Sequence, residues 1–305
     1  MRISRTVTYL FMVLSLSLAG DPLTSGAGSF LDNGAGSKAY ALGNAEGANY
    51  GDIWSGFYNP AGVASVPKLT VSEMEQKLFE DSSYQAYGLA FPFLFLSCGL
   101  QYHSVKTNDI PYSGLDGNGV PVLIGPNFSV ESSALILSLA KDIHLNRQSM
   151  VVFGVNAKAI REDLFYNQGL GYGADAGMIL RFGNYQIGVS AINVIAPKMT
   201  WNTSSNATES LPMTLIGAFQ YSSTDKLMTC MASAQKQDGQ EATFHVGMSY
   251  SLFHVIDLRM GSNNGNPSYG VGMDIGGIKI DYGIQTNAKA DELNSVSRLT
   301  IGYTL

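Results

Sequence analysis

Charge is scarce in this chain. Of its 305 residues only 14% are Asp, Glu, Lys or Arg, where a soluble domain usually carries about a quarter. The net charge is −6, and no cluster of Lys and Arg forms anywhere, which excludes nucleic acid as a partner. Cysteine is nearly absent. Cys98 and Cys230 stand alone and far apart, so a framework of several disulfides is excluded; one disulfide between them is an alternative to the two buried thiols we expect, and no metal-ligand spacing is present. Long hydrophobic runs are also missing. After residue 19 no stretch approaches the roughly 20 apolar residues of a membrane-spanning helix.

What is present is repetition. From residue 68 onward the chain reads as about fourteen segments of alternating polarity, each followed by a turn, the signature of a transmembrane β-barrel. In Ile278-Lys279-Ile280-Asp281-Tyr282-Gly283-Ile284-Gln285 one face is Ile, Ile, Tyr, Ile and the other is Lys, Asp, Gly, Gln. Phe244, Val246, Met248 and Tyr250 alternate with Thr243, His245, Gly247 and Ser249. Tyr269, Val271, Met273 and Ile275 alternate with Gly270, Gly272 and Asp274. Successive side chains point to opposite faces of a strand, so each segment has one lipid-compatible face and one polar face. The 34 glycines and 16 tyrosines suit a barrel wall with aromatic girdles.

The connections sort by length. With the first strand starting at one end near Lys68, turns fall there at 92–93, 142–148, 183–184, 222–225, 253–254 and 276–277. The opposite end receives 106–126, 161–168, 198–210, 237–240, 262–267 and 287–295. The longest connections share one end, as short periplasmic turns and longer outer loops predict. At the C-terminus Leu299, Ile301, Tyr303 and Leu305 alternate with Arg298, Thr300, Gly302 and Thr304. A last strand there can pair with the first and leave no sheet edge.

The start of the chain reads differently. Arg2 and Arg5, an apolar core from Leu10 to Leu18, and small residues at Ser17 and Ala19 predict a secretory signal cleaved after Ala19. Residues 20–67 lack any period of two and are expected to be a plug for a barrel spanning 68–305. A short helix is expected near residues 37–47. Asn59-Pro60-Ala61-Gly62 predicts a turn, because Pro60 biases Asn59 away from helix and Gly62 is permissive. Its plain reading is a rigid turn that seats the plug; the alternative is a gate that moves.

Residues Gly34-Ala35-Gly36-Ser37-Lys38-Ala39-Tyr40-Ala41-Leu42-Gly43-Asn44-Ala45, followed by Phe57-Tyr58-Asn59-Pro60-Ala61-Gly62, resemble the N-terminal signature of the PorV/PorQ family, within the FadL-like superfamily of outer-membrane proteins. The resemblance continues more loosely through the strand pattern. It implies an outer-membrane barrel of about fourteen strands whose N-terminal segment plugs the lumen. It also implies two roles. PorV-like members act with type IX secretion machinery, so the partners would be secretion components or exported proteins. FadL-like members pass hydrophobic small molecules, so the partner would be an apolar solute. FadL-type ligand residues find no matching motif here. The leading expectation is a PorV-like barrel serving protein export or surface attachment; the alternatives are a FadL-like channel and a structural barrel without cargo.

Three sets of residues stand out. Alternation turns Lys158, Asp175, Arg181, Asp257, Arg259, Asp274, Lys279 and Asp281 away from lipid, where charge at midplane would cost about 2–4 kcal/mol. Four are positive and four negative, which argues against an ion-selective pore. They read as a space-filling lumen network, or as one that grips the plug or gates a path. Trp54, Phe57 and Tyr58 either line an apolar passage or pack the plug. The glycines from Gly169 to Gly177 alternate without a following helix, so they are small wall residues and not a dinucleotide fingerprint. Asp116-Gly117-Asn118-Gly119 lacks the downstream Glu of a calcium loop. His103, His144, His245 and His254 are scattered, so we expect no catalytic residues, no metal and no cofactor.

Overall fold

The structure is a computed structural model that describes residues 26–79, 81–203, 207–286 and 295–305. The expected signal, residues 1–19, lies outside the described residues, and so do residues 287–294.

Fourteen strands make a closed antiparallel barrel. They are β1 (Thr70–Phe79), β2 (Ser82–Phe93), β3 (Leu96–Ile110), β4 (Phe128–His144), β5 (Ser149–Leu164), β6 (Asn167–Phe182), β7 (Tyr185–Ile195) and β8 (Thr214–Ser222). After them come β9 (Met228–Gln237), β10 (Ala242–Leu252), β11 (Ile256–Asn263), β12 (Asn266–Ile275), β13 (Ile278–Thr286) and β14 (Ser295–Thr304). Each pairs with its neighbours in sequence, and β14 returns to β1 with Thr304 opposite Thr70 and Arg298 opposite Gln76. Closure satisfies every strand edge within the sheet. Two short strands, Lys198–Trp201 and Thr208–Ser210, add a hairpin to β6 outside the ring.

Alternation decides the faces. On β10 Phe244 and Tyr250 are exposed while His245 is buried; on β14 Leu299, Ile301 and Tyr303 are exposed while Arg298 and Thr300 are buried. Large apolar side chains therefore form the outer surface, the arrangement of a wall built for lipid. Strand β1 departs from it. Glu73, Glu75 and Lys77 share its exposed face, with Glu73 opposite Tyr87 and Ile301.

At one end the connections are residues 94–95, 145–148, 183–184, 223–227, 253–255 and 276–277. The longest connections, 111–127 and 196–213, lie at the other end. The expected loop at 161–168 contracts to residues 165–166, and that at 262–267 to residues 264–265. Asn264 and Gly265 adopt φ of 48° and 92°, as a two-residue hairpin turn requires. Both cysteines are free thiols; Cys98 is buried as expected, whereas Cys230 is only partly buried.

The N-terminal segment is compact. It holds a 3-10 turn Ser29–Asn33, helix α1 (Ser37–Ala41), helix α2 (Ser55–Tyr58) and a 3-10 turn Pro60–Val63. Helix α1 is shorter than expected, because Gly43 and Asn44 take positive φ just beyond it. It packs on β11 to β14, whereas Pro60–Val63 packs on β3, β4, β5 and β6. A segment that touches both sides of a closed ring on the buried faces lies in the space the ring encloses. Glycines admit its backbone: a Cβ at Gly154 would collide with Pro60 and Ala61, and one at Gly247 would sit 2.6 Å from the Leu42 carbonyl oxygen.

Candidate functional site

The Asn-Pro-Ala-Gly motif is an anchor between segment and wall. Asn59 is extended, with φ −148°, and Pro60 opens the 3-10 turn behind it. The Ala61 N–H donates to Asn59 Oδ1 at 3.1 Å, which satisfies a free turn donor. Asn59 Nδ2 donates to the Gly47 carbonyl at 2.8 Å and approaches the Met178 and Val189 carbonyls at 3.3 and 3.4 Å. Those two residues face each other across the β6–β7 pairing. Ser190 Oγ donates to the Tyr58 carbonyl at 2.8 Å.

Arg298 supplies a second anchor. It is fully buried and is the largest such side chain. Its guanidinium donates to Gln76 Oε1 at 2.9 Å and to the Asn33 carbonyl at 2.7 Å, and lies 4.3 Å from the centre of the Tyr40 ring. Carbonyl oxygens and an aromatic face replace water around the charge. Nearby, Tyr84 hydroxyl donates to the Gly34 carbonyl at 2.9 Å and meets His103 Nδ1 at 2.8 Å. His103 Nε2 meets Gln101 Oε1, and Gln101 Nε2 donates to the Ile53 carbonyl. The expected charge set omits Arg298, although the same alternation turns it inward.

The eight expected charges do not form one network. Lys158 and Asp175 make a buried ion pair at 2.6 Å, and Asp175 also accepts from Asn156 Nδ2 and from the Asn193 N–H at 2.7 Å. Arg259 sits between Asp257 at 2.9 Å and Asp281 at 2.5 Å. Lys279 and Asp274 are 3.8 Å apart and half exposed. Arg181 donates to Tyr50 hydroxyl at 3.1 Å. Within the N-terminal segment Lys38 pairs with Glu46 at 3.6 Å and Asp52 at 3.5 Å. Burial disfavours the Lys38 charge, but Glu46 and Asp52 outweigh it and hold Lys38 above its usual pKa. Burial likewise opposes the Asp52 charge; Lys38 and Lys279 outweigh it and hold Asp52 below the usual carboxylate range.

The three aromatics separate. Trp54 is buried among Ala35, Met74, Tyr84 and Ala86, with Nε1 donating to Ser72 Oγ at 3.1 Å. Phe57 and Tyr58 line a cavity of about 480 Å³ between the N-terminal segment and the wall, near the end with the long connections. On the outer face, across β6 to β10, runs a groove of about 670 Å³ lined by Met178, Val189, Leu215 and small residues such as Ala176 and Gly217. Ile216 and Gln235 line both spaces. There the β6–β7 register slips between Ala174 and Ala176, and Asn193 takes φ +60°, a bulge that locally breaks the ladder. Sequence reasoning missed this site, since a bulge at Asn193 leaves the alternation on either side nearly intact.

Among the described residues no group of three or more His, Cys, Asp or Glu could hold a metal. Asp116 instead accepts N–H bonds from Asn118 and Val120 within its own turn.

A closed barrel with an apolar outer face and a chain segment inside is the outer-membrane type of fold. No family model matches the chain, and no curated protein matches it. Solved structures do. The toluene transporter TodX of Pseudomonas putida aligns with a TM-score of 0.60 and 10% identity, covering 88% of this chain and 96% of TodX. A FadL homologue from Pseudomonas aeruginosa aligns with a TM-score of 0.54 and 12% identity, covering 88% and 98%. A TodX mutant described as a monoaromatic hydrocarbon channel gives 0.57 and 11%, covering 88% and 97%. At these identities the likeness is one of fold.

Proposed function

We propose that this chain is a channel for small hydrophobic solutes in a bacterial outer membrane, with residues 20–67 as the lumen plug. The long connections then face outward and the short turns face the periplasm. The observation that carries the reading is the pairing of the inner cavity with the outer apolar groove across one strip of wall, at the bulge beside Asn193. The N-terminal segment packs against wall strands on both sides of the ring, so the supported route for an apolar solute leads from the cavity sideways through β6 to β9. The fold likeness to a toluene transporter and a monoaromatic hydrocarbon channel supports the same reading. The export reading draws no support from these likenesses, and no feature of the site favours it.

The test is uptake. Cells lacking and producing the chain are compared for entry of radiolabelled toluene at low external concentration. Faster saturable entry with the chain is expected. Equal entry, together with recovery of secretion components on purification, would replace this reading with the export one.

A further inference from the structure

The inner cavity carries polar groups that a bare hydrocarbon leaves unpaired. Asn193, Gln235, Gln237, Thr243, His245 and Asn263 all line it. Asn193 is the informative one. Its backbone N–H is spent on Asp175 and its Nδ2 on the Pro212 carbonyl, both at 2.7 Å. The residue is only 8% exposed, yet its Oδ1 has no partner in the protein. A buried acceptor left bare is destabilising, and a donor on a ligand in the cavity would remove that cost.

The charges constrain that ligand. Among the described lining residues Lys158 is the single lysine or arginine, and it is committed to Asp175. Asp32, Asp175 and Glu209 also line the cavity, so an anionic ligand meets carboxylates and no free cation. Asp175 is neutralised by Lys158, and Asp32 and Glu209 are exposed to solvent, where water screens their charge, so a cation gains little. Phe57, Ile136 and Ile216 supply apolar surface in the same space. Its volume suits a small molecule.

We infer that the cavity recognises a neutral amphiphilic solute, with an apolar body against Phe57 and Ile216 and a hydroxyl or N–H group donated to Asn193 Oδ1. This rests on the channel reading and names its substrate class.

Three probes of similar size separate the possibilities: benzyl alcohol, toluene and benzoate. Binding is measured on the full chain in lipid nanodiscs, with empty nanodiscs subtracting partition into lipid. Benzyl alcohol is expected to bind about tenfold more tightly than either other probe, the effect of one hydrogen bond to a buried acceptor. Asn193→Gly, which tolerates the positive φ, is expected to abolish that preference while toluene binding stays. Should Asn193→Gly fail to assemble, benzyl methyl ether, which keeps the oxygen but has no donor, carries the test on the parent and is expected to bind no more tightly than toluene. Equal binding of alcohol and toluene, a preference that survives Asn193→Gly or extends to the ether, or no saturable binding at all would overturn the inference. Toluene uptake without any alcohol preference would leave the channel standing and remove this site. Saturable alcohol binding without uptake of any probe would do the reverse.

Discussion

Arg298 donates to the backbone carbonyl of Asn33 at 2.7 Å, so the strand that closes the barrel also grips the segment inside it. The two residues are 265 positions apart in sequence. Replacing Arg298 with Met removes the donors for Gln76 and Asn33 and leaves buried acceptors bare, at about 1–3 kcal/mol each. We expect the barrel to assemble and the N-terminal segment to loosen, read as ion conductance in planar bilayers where the parent is closed. Deleting residues 30–67 should give the larger, fully open conductance. A closed Arg298→Met variant would mean the segment is held elsewhere.

Lys158 and Asp175 are a buried ion pair. Removing one partner of such a pair costs about 3–5 kcal/mol, because the other charge is left uncompensated. Lys158→Met should therefore lower the urea midpoint sharply, while Lys158→Met combined with Asp175→Asn should recover much of the loss. Additive losses would show that the two residues act independently.

Wall orientation is testable on one strand. Ile280 pairs with Met273 and Ile301 on the apolar face, whereas Lys279 pairs with Asp274 on the other. Ile280→Arg should impair assembly by about 2–4 kcal/mol if it lies near midplane, and Lys279→Gln should barely change it. Heat-modified gel mobility of the folded barrel distinguishes them. Equal effects would reverse the assignment of β13.

The Lys38–Asp52 contact gives a pH dependence. The Asp52 pKa is depressed in the folded chain, so its contribution is present above the ordinary carboxylate value of about 4 and is lost as pH falls through the lower folded value. The Lys38 pKa is raised, so its contribution persists below about pH 10 and is lost above its folded value. Hydrogen exchange of residues 38–52 should quicken below about pH 4, and Asp52→Asn should flatten that dependence. An unchanged profile in the variant would discount the pair.

Much of the barrel was legible because a wall strand repeats one instruction every two residues. The alternation at Phe244–Tyr250 and Ile278–Gln285 predicts the face of each residue that the structure shows. The sorting of loops was legible in the same way, although the 165–166 turn was not. Phe165 takes φ +53° there without the Gly, Asn or Asp that would signal it. The site was less legible. Asn59 meets carbonyls of Met178 and Val189 more than a hundred residues away, and nothing local encodes such partners. Of the eight charges, Lys158, Asp175 and Arg259 are buried while Asp274 and Lys279 are half exposed; alternation says only which side a charge occupies and not which opposite charge it meets. Glu73 and Glu75 show the rule failing on β1, where the outward face carries carboxylates.

On the proposed route a hydrophobic solute crosses the wall beside Asn193. Gly217 lies in the outer groove with open space where a Cβ would be, so Gly217→Trp should fill the groove without disturbing the fold. The measurement is saturable toluene uptake by cells producing the parent or the Gly217→Trp barrel at matched folded amounts. The account predicts uptake reduced to the level of cells without the chain. Undiminished uptake by the blocked barrel would contradict it.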